Sequence, residues 1–158
     1  MIVKKKIIIF SDFGDYYSKK ALSIILKNNK FFDIKALILS KKNKKRDFKF
    51  NKKLNSFYDG YPHKNKKILN FIKKNKIEFA ISTGFPNRIR MSLIKILNNR
   101  IYNFHPAVLP YNKGSHSTFH AIINKTNYGA TMHLMNKDFD SGEILDQIEY
   151  KNDGFVDA

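Results

Sequence analysis

The chain has 158 residues, 42% of them hydrophobic, which suffices for one globular domain with a sizeable core and excludes both a disordered segment and two full-sized domains. It contains no cysteine, so disulfides and thiolate metal sites are excluded, and no apolar run approaches the ~20 residues of a membrane span. The formal charge of +17, from 30 Lys plus Arg against 13 Asp plus Glu, has two readings: a polyanionic partner, or a coding bias. Lys, Asn, Ile, Phe and Tyr are over-used together along the chain, and arginine, the better forked phosphate ligand, occurs only at Arg46, Arg88, Arg90 and Arg100. Coding bias is the favoured reading. The start, "MIVKKKIIIF", has too short an apolar run for a signal peptide, and a cytoplasmic protein without membrane association is expected.

In chain order, "KKKIIIFSD" is a continuous apolar run of the kind expected of a strand buried on both faces. "YYSKKALSIILKNNK" carries Ala21, Leu22, Ile25 and Leu26 at helical spacing, with Ser18 as candidate N-cap. "FFDIKALILS" returns to strand, and a right-handed crossover makes the two strands parallel. Residues 41–56 are charged and aperiodic, and predict an exposed loop. "KNKKILNFIKKNK" predicts a helix with Ile68, Leu69 and Ile72 on one face; "IEFAIS" predicts a strand, followed by the turn "TGFPN". Asn87 is the candidate cap of a helix with the apolar stripe Ile89, Leu93, Ile94 and Leu97. "RIYNFH", "GATMHLM" and "GEILDQIEY" complete the strands. The alternation predicts an α/β, Rossmann-like domain over residues 1–158, with a mainly parallel sheet of about six strands and helices on both faces. In such sheets ligands gather beyond the carboxyl ends of the strands, where "SDFGD", "STGFPN" and "NFHP" lie.

The richest polar stretch is "NFHPAVLPYNKGSHSTFH". Asn103 and His105, two apart in an extended segment, project to the same face, and Pro106 stops the strand after them. "LPYNKG" turns the chain sharply, with Gly114 free to adopt positive φ. An amide N–H stabilises an oxyanion and an imidazole shuttles a proton, so the pair suits attack of an amine on a carbonyl-like carbon. A carboxylate from "HLMNKDFDSGEILDQ", Asp138 or Asp140, is available to orient the imidazole, favour its protonated form, or hold a relay water. His116, His120 and His133 lack a metal-ligand spacing, and no metal site is expected; His133 falls within a strand pattern, as an interior or pocket-wall residue does.

"NFHPAVLP", "KGSHSTFHAI", "YGATMHLM" and "DFDSGEILDQ", in that order, resemble the 10-formyltetrahydrofolate-dependent formyltransferases, closely over residues 77–150 and only in topology before them. The resemblance implies a folate-dependent formyl-transferring enzyme that uses 10-formyltetrahydrofolate as cosubstrate and no metal. It implies that Asn103 hydrogen-bonds the formyl oxygen, that His105 assists proton movement, and that Asp140, two before Gly142, orients the imidazole or a relay water. It places Phe85, Pro86, Arg88 and Ile89 at the pterin slot, with Met135, Asn136, Lys137 and Asp138 as its opposite wall. Lys113, Gly114 and His116 are the corresponding candidates for contact with the amine substrate.

The branches of this family differ in their acceptor. The first-strand turn reads "FSDFGDYYS", where the purine-pathway enzyme has a Gly-Ser-Asn-rich phosphate cradle; Asp12 and Asp15 disfavour a phosphate there. "LPYNKGSHSTFHAI" resembles most the branch that formylates nucleotide-linked amino sugars, which is the expected acceptor class. Methionyl-tRNA formyltransferase and phosphoribosylglycinamide formyltransferase are the alternatives; a nucleic-acid partner such as tRNA is not favoured. A non-catalytic basic nucleic-acid-binding module is the rival of another class. The family usually continues past "KNDGFVDA" into a helix, so a chain truncated at its C-terminus is expected.

Overall fold

The computed structural model describes residues 3–12, 16–27, 30–40 and 54–152. Asp15 and most of the expected loop at 41–56 lie outside these residues. The chain forms two compact units, residues 1–101 and 102–158.

The first unit is built from β1 (Lys5–Ser11), α1 (Tyr16–Lys27), β2 (Phe32–Leu39), β3 (Asn55–Tyr58), α2 (Lys66–Lys74), β4 (Phe79–Thr83) and α3 (Met91–Ile96). Its strands run in the order β3-β2-β1-β4, and each neighbouring pair is parallel. The apolar run of β1 is buried on both sides, and residue alternation decides what each side meets. Ile7 and Ile9 join Leu37, Leu39 and Ile81 in a core closed by Leu22 of α1, with Ile25 and Leu26 packed against it. Phe10 lies opposite Ile38, and Ile38 opposite Phe57, whose ring meets Phe71 of α2 edge-on at 5.1 Å. Helices α1 and α2 therefore cover opposite faces, and no position of the run Ile7–Phe10 is left for a polar side chain to reach water. That explains why β1 reads as continuous rather than alternating.

Two capping expectations fail. Helix α1 includes Tyr16, so Ser18 lies inside it and is buried. Helix α3 begins at Met91 with Arg90 at its N-cap and no side-chain cap bond; the Asn87 side chain instead lies against Gly60. A side-chain cap does form at Asn65 on α2, whose Oδ1 accepts from the backbone N–H groups of Lys67 and Ile68 at 2.9 and 3.3 Å. Strand β3 occupies Asn55–Tyr58, whose first two residues belong to the predicted loop. It is short, pairs along one side with β2, and stays largely exposed, so its hydrophobic pattern carries no strand signal.

The second unit holds β5 (Ile101–His105, starting at its boundary), α4 (Ser117–Ile123), β6 (Tyr128–Leu134) and β7 (Ile144–Tyr150), with β5–β6 and β6–β7 antiparallel. Helix α4 is absent from the sequence-based expectations; its seven residues include two buried ones, Ser117 and Ala121, too few for a helical stripe. Seven strands are thus found among the described residues, and the fold is α/β and Rossmann-like.

Thr131 anchors the loop that follows β5. Its hydroxyl donates to the Ala107 carbonyl at 2.7 Å and accepts from Leu109 N–H at 3.1 Å and Gln147 Nε2 at 2.8 Å. Gln147 also donates to the Leu109 carbonyl at 3.0 Å. Because Thr131 is fully buried, Thr131→Val strands these partners away from water. A loss of about 1–3 kcal/mol in unfolding free energy is expected by urea titration, with the isosteric side chain excluding a cavity as the cause.

Candidate active site

Antiparallel register assembles most of the site. Asn103 lies opposite His133, and His105 opposite Thr131. With a side-chain period of two, all four residues share one face of the β5–β6 ladder, and all four are buried. Pro106 ends β5 directly after His105, as the sequence predicts.

Asp140 enters from the turn between β6 and β7, and its backbone adopts the left-handed region at φ 44°, a conformation that Asp tolerates better than most residues. Its carboxylate sits between two imidazoles: Oδ2 is 3.5 Å from His105 Nδ1, and Oδ1 is 3.4 Å from His133 Nε2. Oδ2 also accepts the Gly114 backbone N–H at 2.8 Å, and Oδ1 is 3.4 Å from Asn103 Nδ2. Gly114 has φ +85°, which a side chain would strain, so its glycine identity serves the turn that aims this N–H.

The partners of the two imidazoles set their protons. His105 Nε2 lies 2.9 Å from the Asn112 carbonyl, which only accepts, so Nε2 carries hydrogen. A neutral His105 would then present the bare Nδ1 lone pair to the Asp140 carboxylate, so that contact is stable when one proton lies between Nδ1 and Oδ2. His133 differs. Its Nδ1 donates to the Leu134 carbonyl at 2.9 Å, and its Nε2 lies 3.1 Å from Asn103 Nδ2 and 3.4 Å from Asp140 Oδ1. His133 thereby holds the Asn103 amide and the Asp140 carboxylate in one cluster.

Burial pushes the Asp140 carboxyl up, but the hydrogen bond at His133, the charge of His105 and the Gly114 N–H outweigh it, and the net pKa lies below the ordinary 3.8. A depressed carboxylate contributes stability above its unfolded pKa and loses it as pH falls through the folded value. Wild type is therefore expected to exceed Asp140→Asn in urea midpoint near neutrality, with the gap closing as pH drops below 3.8.

Asn103, His105 and Asp140 are thus brought together. The structure adds His133, which the strand pattern places as an interior or pocket-wall residue, to this cluster. The signal for it is the β5–β6 register: once the two strands are paired, His133 faces Asn103. Gly114 joins the cluster through its backbone, whereas Lys113 and His116 stand exposed on the same loop, His116 at the N-cap of α4 with φ 57°. Asn136 is occupied within the 135–143 turn, its Oδ1 accepting Asp138 N–H and the Ser141 hydroxyl at 2.9 and 3.0 Å. Lys137 and Asp138 are exposed, and Met135 is half-buried. In the first unit Phe85 packs edge-on against Phe10 at 5.6 Å, Pro86 is exposed and Arg88 half-exposed. Ile89 is buried with the α3 stripe, so it offers a ligand backbone rather than side chain. Among the described residues no group of His, Cys, Asp and Glu has the arrangement of a metal site, and no helix is long and apolar enough to cross a membrane.

Comparison with known proteins bears on this geometry. The model of one family, described as "Formyl transferase", matches residues 5–152. The chain is 29% identical over 86 residues to the chloroplastic phosphoribosylglycinamide formyltransferase of Arabidopsis thaliana, a match covering 51% of this chain and 30% of that protein. It therefore spans under a third of that relative's length. The solved phosphoribosylglycinamide formyltransferase of Bacillus halodurans has a TM-score of 0.75 at 21% identity, covering 98% of this chain and 83% of its own. A sugar N-formyltransferase from Shewanella has a TM-score of 0.67 at 24% identity, covering 92% and 57%. At these identities the two structures show a common fold.

Proposed function

The chain belongs to the formyl transferase family, and from that premise we propose that it moves a formyl group from 10-formyltetrahydrofolate to a primary amine, with Asn103, His105 and Asp140 as catalytic residues. One observation carries this reading: one half-buried carboxylate, Asp140, lies within 3.5 Å of two imidazoles and of the Asn103 amide. The folate cosubstrate supplies a formyl carbon already bonded to a nitrogen that can leave. In the transfer a bond forms from the amine to that carbon and the bond to the folate nitrogen breaks; the amine gives up one proton and the folate nitrogen gains one. Asn103, held by His133, offers its N–H to the formyl oxygen as negative charge gathers there. His105 and Asp140 hold and exchange the proton between Nδ1 and Oδ2. The buried, low-dielectric setting strengthens each of these interactions. Phe85, Pro86, Arg88, Ile89 and residues 135–138 are the proposed folate contacts, and Lys113, Gly114 and His116 the proposed acceptor contacts.

The acceptor we propose is a nucleotide-linked amino sugar, on the strength of the 109–122 stretch and the acidic turn at Asp12. Phosphoribosylglycinamide is the second reading, favoured by the names of the Arabidopsis and Bacillus halodurans proteins. Tetrahydrofolate release, measured with 10-formyltetrahydrofolate and a panel holding both amine classes and methionyl-tRNA, separates them. Turnover with one class identifies the acceptor. If every amine is inert while an intact fold is confirmed by circular dichroism, the transferase reading is wrong.

A further inference from the structure

The charge of the chain is not evenly spread. Residues 1–101 hold 26 Lys plus Arg against six Asp plus Glu, a net of +20, whereas residues 102–158 hold four against seven, a net of −3. Coding bias does not produce this division. Lys and Asn share AA-type codons, so a bias toward them enriches both wherever it acts. Asn is indeed uniform, with 11 in the first 101 residues and six in the last 57, yet Lys falls from 22 to four. The lysines of the first unit need another explanation.

We propose that the first unit carries a binding surface for single-stranded nucleic acid, formed by the turn around Tyr61 and the outer face of α2. Helix α2 buries Ile68 and Ile72 and exposes Lys66, Lys67, Lys73 and Lys74, and it contains no acidic residue. Among the described residues none of these four lysines has a carboxylate within salt-bridge distance. Three acids of this unit are engaged elsewhere: Glu78 by Lys5, Asp33 by Lys35, and Asp59 by Tyr61 N–H and Asn65 Nδ2, both at 2.6 Å. The two lysine pairs are seven residues apart, about 10 Å along the axis, which is about the span of three stacked nucleotides.

An exposed ring precedes the helix, with a half-buried one beside it. Tyr61 is 59% exposed, the Lys64 ammonium lies 5.8 Å from its ring centre, and the His63 ring meets it edge-on at 6.2 Å. Burial, then Lys64 and Arg90, push the His63 pKa down, which keeps its ring neutral beside those cations. Flat rings interleaved with cations are what a base-stacking, phosphate-neutralising surface requires. An anionic bilayer would instead call for an outward apolar face on α2, and its outward face is lysine and asparagine.

The test is fluorescence anisotropy of a labelled, mixed-sequence 20-nucleotide RNA titrated with the full chain from low to moderate salt. Binding is expected to weaken steeply with salt. Lys66→Gln with Lys67→Gln should flatten the logarithmic salt slope by about 1.4, two phosphate contacts at 0.7 each. Tyr61→Ala should weaken binding by about 5- to 150-fold, and Tyr61→Phe should restore it. Phosphatidylserine vesicles and polyglutamate serve as competing polyanions. The proposal is overturned by absence of RNA binding at low salt, by binding indifferent to these substitutions, or by either competitor binding more tightly than RNA. Formyl transfer plays no part in this readout, so failure of the proposed enzyme activity leaves it standing.

Discussion

Asp140→Asn is expected to lower kcat/KM for formyl transfer by about two to four orders of magnitude while the folded structure persists. The substitution preserves size and leaves an oxygen to accept the Gly114 N–H, but it removes the negative charge that faces His105 Nδ1 at 3.5 Å. With Nε2 committed to the Asn112 carbonyl, His105 then loses the partner that stabilises a proton on Nδ1. The defect therefore belongs in kcat rather than KM, since the proton is needed as bonds change and not when ligands bind. Steady-state kinetics alongside a thermal melt check it. A variant retaining most of its kcat would show that the carboxylate is structural, and would remove the central member of the proposed cluster.

Gly142→Ala is expected to be the most damaging single methyl group in the second unit. A Cβ at position 142 would overlap the Leu134 carbonyl oxygen, a backbone atom with no flexible side chain to yield. The two strand ends are pinned there by the Leu134 N–H donating to the Glu143 carbonyl at 2.9 Å. Relief requires the hairpin mouth to open, which carries Asp140 away from both imidazoles. Overpacking of this kind costs about 1–3 kcal/mol, and more where backbone must move. Urea unfolding should report that loss, and kcat should fall with it because position and stability fail together. Ser141→Ala, one residue away, forfeits only a hydroxyl bond to Asn136 in an exposed turn and should be mild. Equal stability of Gly142→Ala and wild type would show that the turn relaxes freely and that the glycine is not required.

Patterning carries far in this chain where burial is two-sided or strictly alternating. The run Ile7–Phe10 announces a strand because both of its faces are covered, and Ile68 with Ile72 announces a helix because only one stripe is. Asn103 and His105 are legible as a pair because extended backbone repeats every two residues and Pro106 fixes where it stops. Weak local signals fail correspondingly: β3 is short and exposed, α4 buries only two residues, and neither Ser18 nor Asn87 caps a helix, because tertiary packing sets where α1 and α3 begin.

The amino-acid order by itself determined the α/β alternation, the end of β5 and the residue types available for proton and oxyanion chemistry, since all three follow from interactions between near neighbours. Only the tertiary structure decided that His133 belongs beside Asn103, that Asp140 bridges two imidazoles, and that Gly142 must lack a side chain. Those facts rest on the pairing register of antiparallel strands and on the path of a turn 37 residues from Asn103. Such pairings are chosen by the free energy of the whole packed unit, and no local stretch of sequence encodes them.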